Sequence, residues 1–178
     1  MVLTDKTILE AIQEGNIVIT PFKKECLGSN SYDVHLGSRL GVYVDDVIDA
    51  KKDNKLEIFD IPDEGYVLMP NKLYLGVTSE YTETYNLVPV LEGKSSTGRL
   101  GICIHLTAGL GDVNFKGNWV LEITAVIPVR IYKNMPIGQL VYNSIEGECL
   151  NPYDKKESSK YKNQNDTPIG SKMYLNNW

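Results

Sequence analysis

Apolar positions change their spacing once along the chain, near residue 16. Upstream, Ile8, Leu9 and Ile12 recur at helical spacing behind Thr4, and Gly15 stops the run as a C-cap does. One short N-terminal helix is predicted. Downstream come short alternating or fully apolar runs: "NIVIT", "SYDVHL", "LGVYVDD", "GYVLMP", "LYLGVTSE", "LVPVLE", "LGICIHL", "NWVLEITAVI", "VRIY" and "IGQLVYNS". Gly, Pro, Asn and Asp separate them at about 8–12 residues, the spacing of an all-β sandwich or barrel. From Asn151 to Trp178 the chain is polar and lysine-rich with scattered apolar residues. The pattern therefore predicts an all-β body over residues 1–150 and a tail over 151–178 that stays mobile unless something docks it.

Period-two counting assigns faces to two of these runs. Leu100, Ile102, Ile104 and Leu106 fall on one side of the first, leaving Arg99, Cys103, His105 and Thr107 on the other. In the second, Trp119, Leu121, Ile123, Ala125 and Ile127 share a face opposite Val120, Glu122, Thr124 and Val126. Glu122 is then a lone carboxylate among apolar neighbours, costly unless paired, and Arg99 is its candidate ion partner. Just before the first run stands "GKSSTGRLG". It reads either as a turn, with hydroxyls bonding their own backbone and Gly98 supplying a positive φ, or as a cradle that holds something. Asp112 has two readings as well, a turn former between Gly111 and Asn114 or a ligand contact. His105 reads as a hydrogen-bonded interior histidine.

Composition narrows the setting. At 178 residues and 42% hydrophobic content, the chain has the length and apolar surface of one domain with a real core. A net charge of −5 argues against a general nucleic-acid binder, so any phosphate contact must be local. No window approaches the roughly 18 consecutive apolar residues of a membrane span, and "MVLTDKTILEAIQEG" carries charges where a signal peptide is apolar. A soluble cytoplasmic protein is expected. Cys26, Cys103 and Cys149 are odd in number and far apart, so they read as reduced, mostly packed thiols, without a disulfide framework or a CxxC metal pair.

Lys94-Ser95-Ser96, Arg99, His105-Leu106-Thr107-Ala108, Asp112 and Leu121-Glu122 stand in a collinear order that closely resembles the dCTP deaminase branch of the trimeric dUTPase superfamily. That branch runs basic-Ser-Ser-x-x-Arg, His-x-Thr-Ala, an Asp-containing turn, then Leu-Glu. "GNIVITPF" and "SNSYDVHLG" look like its early strands, "MPIGQLVY" like its closing core strand. The resemblance implies a dUTPase-like distorted β-barrel of the β-clip type, with a short N-terminal helix and a flexible C-terminal tail. It implies a homotrimer with active sites at subunit interfaces, closed by tails. The implied reaction is hydrolytic deamination of dCTP to dUTP and ammonia without catalytic zinc, and the sequence lacks the His-x-Glu and Pro-Cys-x-x-Cys signature of zinc deaminases.

The same resemblance distributes roles. Glu122 would move the protons, Ser95 and the Ala108 carbonyl would position the attacking water, and Arg99 would stabilise charge. Lys94, Ser95 and Ser96, with the Thr97-Gly98 backbone, would cradle phosphate oxygens. Asp112 would read the deoxyribose 3′-hydroxyl, Val120 and Leu121 would join Glu122 in contacting substrate, and Tyr153, Lys160 and Gln164 would contact it from the tail. Mg2+ would arrive bound to the triphosphate. dTTP would inhibit at the same site through a shift of His105 and Thr107.

Three features depart from the pattern. Gly111-Asp112-Val113-Asn114 lacks the usual apolar residue before the aspartate and the glycine after it, Lys94 replaces a more frequent arginine, and Ala108-Gly109 looks like the members that also cleave dUTP to dUMP and pyrophosphate. Three readings stay open: a dCTP deaminase, a bifunctional deaminase and diphosphatase, and a non-catalytic trimeric module that binds nucleotide or protein.

Overall fold

The computed structural model describes residues 1–177; Trp178, the end of the expected tail, lies outside the described residues. The predicted helix is present as α1, Asp5–Gln13, with Thr4 at its N-cap. The Thr4 amide donates to Oγ1 of Thr7 at 2.8 Å, and Gly15, at φ 78°, follows the helix end. Ile8 and Ala11 bury against the body.

The rest is β structure: β1 Ile17–Thr20, β2 Tyr32–His35, β3 Arg39–Tyr43, β4 Leu56–Asp60, β5 Tyr66–Leu68, β6 Tyr74–Thr84, β7 Leu87–Gly93, β8 Ile102–Cys103, β9 Lys116–Ala125, β10 Val129–Ile131 and β11 Pro136–Ser144. One sheet runs β4-β3-β6-β9-β8 with β1 also on β6, a second runs β2-β11-β7, and β10 pairs with β5. The protein is the expected all-β fold. Its core is filled by Tyr32, Leu36, Leu40, Leu68, Tyr74, Leu121, Ile123, Leu140 and Tyr142, all at most 1% exposed. In β9 the alternation holds as predicted, with Trp119, Leu121, Ile123 and Ala125 buried and Val120, Glu122 and Thr124 partly exposed. A one-residue slip of β9 would put Glu122 in the core and Leu121 in solvent, so the apolar positions fix where the carboxylate points.

Several expectations are corrected. "GKSSTGRLG" is neither a simple turn nor a strand end but a short helix, α2, Ser95–Arg99. Thr97, 3% exposed, accounts for it: its Oγ1 accepts from the Lys94 amide at 3.1 Å and donates to the Lys94 carbonyl at 2.8 Å. The positive φ falls at Gly101, 74°, and not at Gly98. Because the helix consumes Arg99 and Gly101 turns the chain, β8 is only Ile102–Cys103; Leu100 and Leu106, placed with Ile102 and Ile104 by period two, are 48% and 59% exposed. Ile127 is 56% exposed because β9 ends at Ala125 and the chain turns there, Val126 donating its amide to the Gly101 carbonyl at 2.9 Å. Cys26 is buried but Cys103 and Cys149 are exposed, so the thiols are mostly unpacked.

The tail is the largest difference. Expected to need a ligand to dock it, it already lies along the body. The Tyr153 amide donates to Val113 O at 2.9 Å, the Asn118 amide to Gln164 O at 3.0 Å, and the Ser171 amide to the Tyr43 hydroxyl at 2.9 Å. Arg39 forms an ion pair with Asp166 at 2.9 Å. Isolated anchors, buried Pro152 and Pro168 and half-buried Tyr153, do what a continuous apolar run would otherwise do.

Candidate active site

A cleft of about 540 Å3 opens between β9, the loop from Leu106 to Asp112, the end of β3 at Tyr43, Ile48, Leu73 and Leu75 around the start of β6, and the tail. Glu122 stands in its wall. The amide of Leu106 donates to its Oε2 at 3.2 Å, and among the described residues Oε1 has no protein partner. One oxygen is thus fixed by backbone while the other is left without a protein partner, a suitable arrangement for a group that must take and give protons.

The loop beside Glu122 is strapped to β7. The Leu91 amide donates to Gly109 O at 2.7 Å and the Gly111 amide donates to Pro89 O at 2.8 Å. Close approach requires glycine at 109, where a methyl group would stand 2.6 Å from the Leu91 carbonyl oxygen. Thr107 and Ala108 therefore enter the cleft at one end of the strap and Asp112 at the other. Asp112 opens a turn closed by the Phe115 amide on its carbonyl at 3.1 Å, with Asn114 at φ 65°. Asparagine tolerates that left-handed backbone better than other non-glycine residues, so the missing glycine does not prevent a tight turn.

The tail supplies the facing wall. Tyr153 lies 5.9 Å from the ring of Phe115, and its hydroxyl accepts from the Tyr161 amide at 3.0 Å. Burial pushes that phenol above its ordinary range, so it stays protonated around neutrality. Gln164 pairs in parallel with Gly117, and its Oε1 is buried without a partner. A ligand donor would satisfy it.

Of the residues singled out by sequence, Glu122, Ala108, Asp112, Val120, Tyr153, Gln164 and Thr107 line one cleft. Others do not. Leu121 is fully buried with its side chain in the core, and Thr97 is spent on capping α2. Ser95, Ser96, Gly98 and Arg99 are exposed on α2 and do not line the cleft, and Arg99 donates from Nη1 to the Ser95 carbonyl at 3.0 Å, with no ion pair to Glu122 among the described residues. Lys94 is paired with Asp33 of β2, and Lys160 is bonded to the Asn176 side chain. His105 is not the hydrogen-bonded interior histidine expected: its Nδ1 is buried and unpartnered. Sequence reasoning missed Tyr43, Tyr161 and Ser171. Tyr43 closes an apolar strand run, which gave no hint of a site, and the other two sit in a segment with no periodicity.

Among the described residues no lysine or arginine lines the cleft, whereas two carboxylates do. The sheet order, the N-terminal helix and the carboxylate-bearing cleft along β9 together describe an all-β protein with a candidate catalytic cleft. The model of the dCTP deaminase-like family matches residues 2–145. The "dCTP deaminase, dUMP-forming" of Clostridium botulinum (strain Alaska E43 / Type E3) is 50% identical over 165 residues, 93% of this chain and 92% of that protein. The protein of the same description from Hathewaya histolytica is 50% identical over 163 residues, 92% of each. The crystal structure of 2′-deoxycytidine 5′-triphosphate deaminase from Agrobacterium tumefaciens matches with a TM-score of 0.64 at 18% identity, over 84% of this chain and 50% of that one. This chain thus spans about half the length of that structure and shares its fold. The chain belongs to the dCTP deaminase-like family.

Proposed function

We propose that the protein hydrolyses dCTP at cytosine C4, releasing ammonia, and then cleaves the resulting dUTP to dUMP and pyrophosphate. The observation that carries the reading is Glu122, which lines the cleft with Ala108 and is held at Oε2 by the Leu106 amide, while Oε1 has no protein partner among the described residues. In the first step Glu122 takes a proton from water as its oxygen bonds to C4 and passes it to the ring nitrogen; it then carries the proton of the new C4 hydroxyl to the amino group, which leaves as ammonia as the C4–N bond breaks and the carbonyl forms. The Ala108 carbonyl and Ser95 hold the water. In the second step water attacks the α-phosphorus and pyrophosphate leaves. The description shared by the half-identical relatives, dUMP-forming, favours this two-step reading over one that stops at dUTP.

The cleft of one chain has carboxylates but no cation, and a triphosphate cannot be held there without countercharge. The proposed enzyme is a homotrimer, as the resemblance to the trimeric dUTPase superfamily implies, in which Ser95, Ser96 and Arg99 of one copy complete the cleft of the next. Support for an interface at α2 comes from Leu100, Val126 and Ile127, which are 48%, 73% and 56% exposed and gather around Gly101. Lys94, already paired with Asp33, then serves to fix α2 rather than to meet phosphate as a free cation. Lys160 would have to leave Asn176 to reach the nucleotide. Magnesium enters on the triphosphate, the chemistry needs no zinc, and dTTP competes for the cleft by moving the His105-Thr107 segment.

The test is product analysis of purified protein with dCTP and Mg2+, alongside Glu122→Gln. Ammonia, dUMP and pyrophosphate in equal amounts are expected from the parent protein. The variant is expected to lose on the order of 10²–10⁴-fold in rate, the usual contribution of a general base, while binding dCTP within a few-fold of the parent. Unconsumed dCTP would overturn the reading, and accumulation of dUTP would remove its second step.

A further inference from the structure

The residue before Asp112 is a glycine where an apolar side chain was expected, and the structure accounts for the missing volume. A methyl group on Gly111 would overlap Cη2 of Trp119 and would lie 2.9 Å from Cγ and 3.0 Å from the carbonyl oxygen of Pro89. The space over Gly111 is filled from the neighbouring strand. Trp119 is 6% exposed and fixed along its length: its amide donates to Thr78 Oγ1 at 2.9 Å, and its indole Nε1 donates to Thr82 Oγ1 at 3.0 Å. At the far end of the turn, Phe115 packs on the same indole with ring centroids 4.7 Å apart. Its amide closes the turn onto the Asp112 carbonyl at 3.1 Å. Both flanks of Asp112, Gly111 and Phe115, therefore rest on one buried, hydrogen-bonded ring.

We propose that Trp119 is a positioning residue for Asp112, setting the turn that aims this carboxylate into the cleft. The inference rests on the reading of Asp112 as the group that recognises the deoxyribose 3′-hydroxyl. Asp112 itself is exposed and has no side-chain partner among the described residues, so nothing but the turn holds it. With a smaller residue at 119, Gly111 and Phe115 lose their common support and the carboxylate samples directions that miss the sugar. With a side chain added at 111, the ring and the turn are forced apart. The two changes made together relieve each other, because the new side chain occupies the space the indole left.

The experiment compares kcat/KM for dCTP with that for its 2′,3′-dideoxy analogue, and the ratio measures recognition of the 3′-hydroxyl. Trp119→Leu and Gly111→Ala are each expected to lower the ratio about five- to tenfold, the fold-change of one lost hydrogen bond, through KM for dCTP with little change in kcat. The double variant is expected to recover part of the ratio, and Trp119→Phe to fall between Leu and the parent. Gly111→Ala carries the test alone if Trp119→Leu does not fold. A parental ratio in Gly111→Ala, or effects that simply multiply in the double variant, would overturn the positioning role. A parental ratio in Asp112→Asn would instead overturn the sugar reading on which the role rests.

Discussion

Ionisable groups in this protein are held in defined states by what surrounds them. Glu80 is 2% exposed and accepts from the His35 amide at 2.8 Å and from the His35 ring at 2.6 Å, so the one deeply buried carboxylate among the described residues is spent on structure. Glu122 is the opposite case, half-buried with one oxygen uncommitted among the described residues. Tyr32, fully buried, accepts from the Lys23 amide at 2.7 Å, and burial pushes its phenol up to about 12. In the unfolded chain a tyrosine ionises near pH 10. Between these values the folded state keeps a proton that the unfolded state has lost, so stability falls as pH rises through the window. The contribution is whole below about pH 10 and gone above about 12. The thermal midpoint is expected to decline across that range, and less steeply for Tyr32→Phe; identical slopes would show that Tyr32 does not couple folding to alkaline pH.

At the scale of elements, most strands were legible, but β4, Leu56–Asp60, was missed because its largely exposed pattern leaves little alternation, β8 kept only Ile102–Cys103 of its predicted run, and the short connections were not legible. β9 could be read from Trp119 to Ala125, though not to its end, because Leu121 and Ile123 meet no polar cost in the core and their alternation fixes Glu122. α2 could not, because a single buried threonine that caps its own helix leaves no periodic trace. The strap from Gly109 to Gly111 was likewise invisible, since its partners on β7 are distant in sequence. Polar composition concealed the docking of the tail, which depends on Tyr153, two prolines and backbone hydrogen bonds to Val113 and Asn118. Truncation after Leu150 is expected to leave the strands folded but to uncover Phe115 and open the cleft. Far-ultraviolet circular dichroism should show retained β structure, while KM for dCTP rises and turnover slows as water enters. Equal kinetics for the two lengths of chain would show that the tail does not close the site.

At the scale of the whole molecule, the groups implicated in chemistry lie on two separate surfaces of one chain. The cleft carries Glu122, Ala108, Asp112 and Gln164, and α2 carries Ser95, Ser96 and Arg99 beside an exposed apolar patch. On the proposed function, neither surface would hold a triphosphate next to a general base without the other. The most direct test uses two inactive proteins, Glu122→Gln and Arg99→Ala, each assayed alone and after co-expression as a mixed assembly. Copies that share sites would pair an intact cleft with an intact α2 helix, so dCTP consumption is expected to return in the mixture to a substantial fraction of the parent rate. A mixture no more active than its inactive components would contradict the account and place every catalytic group within a single chain.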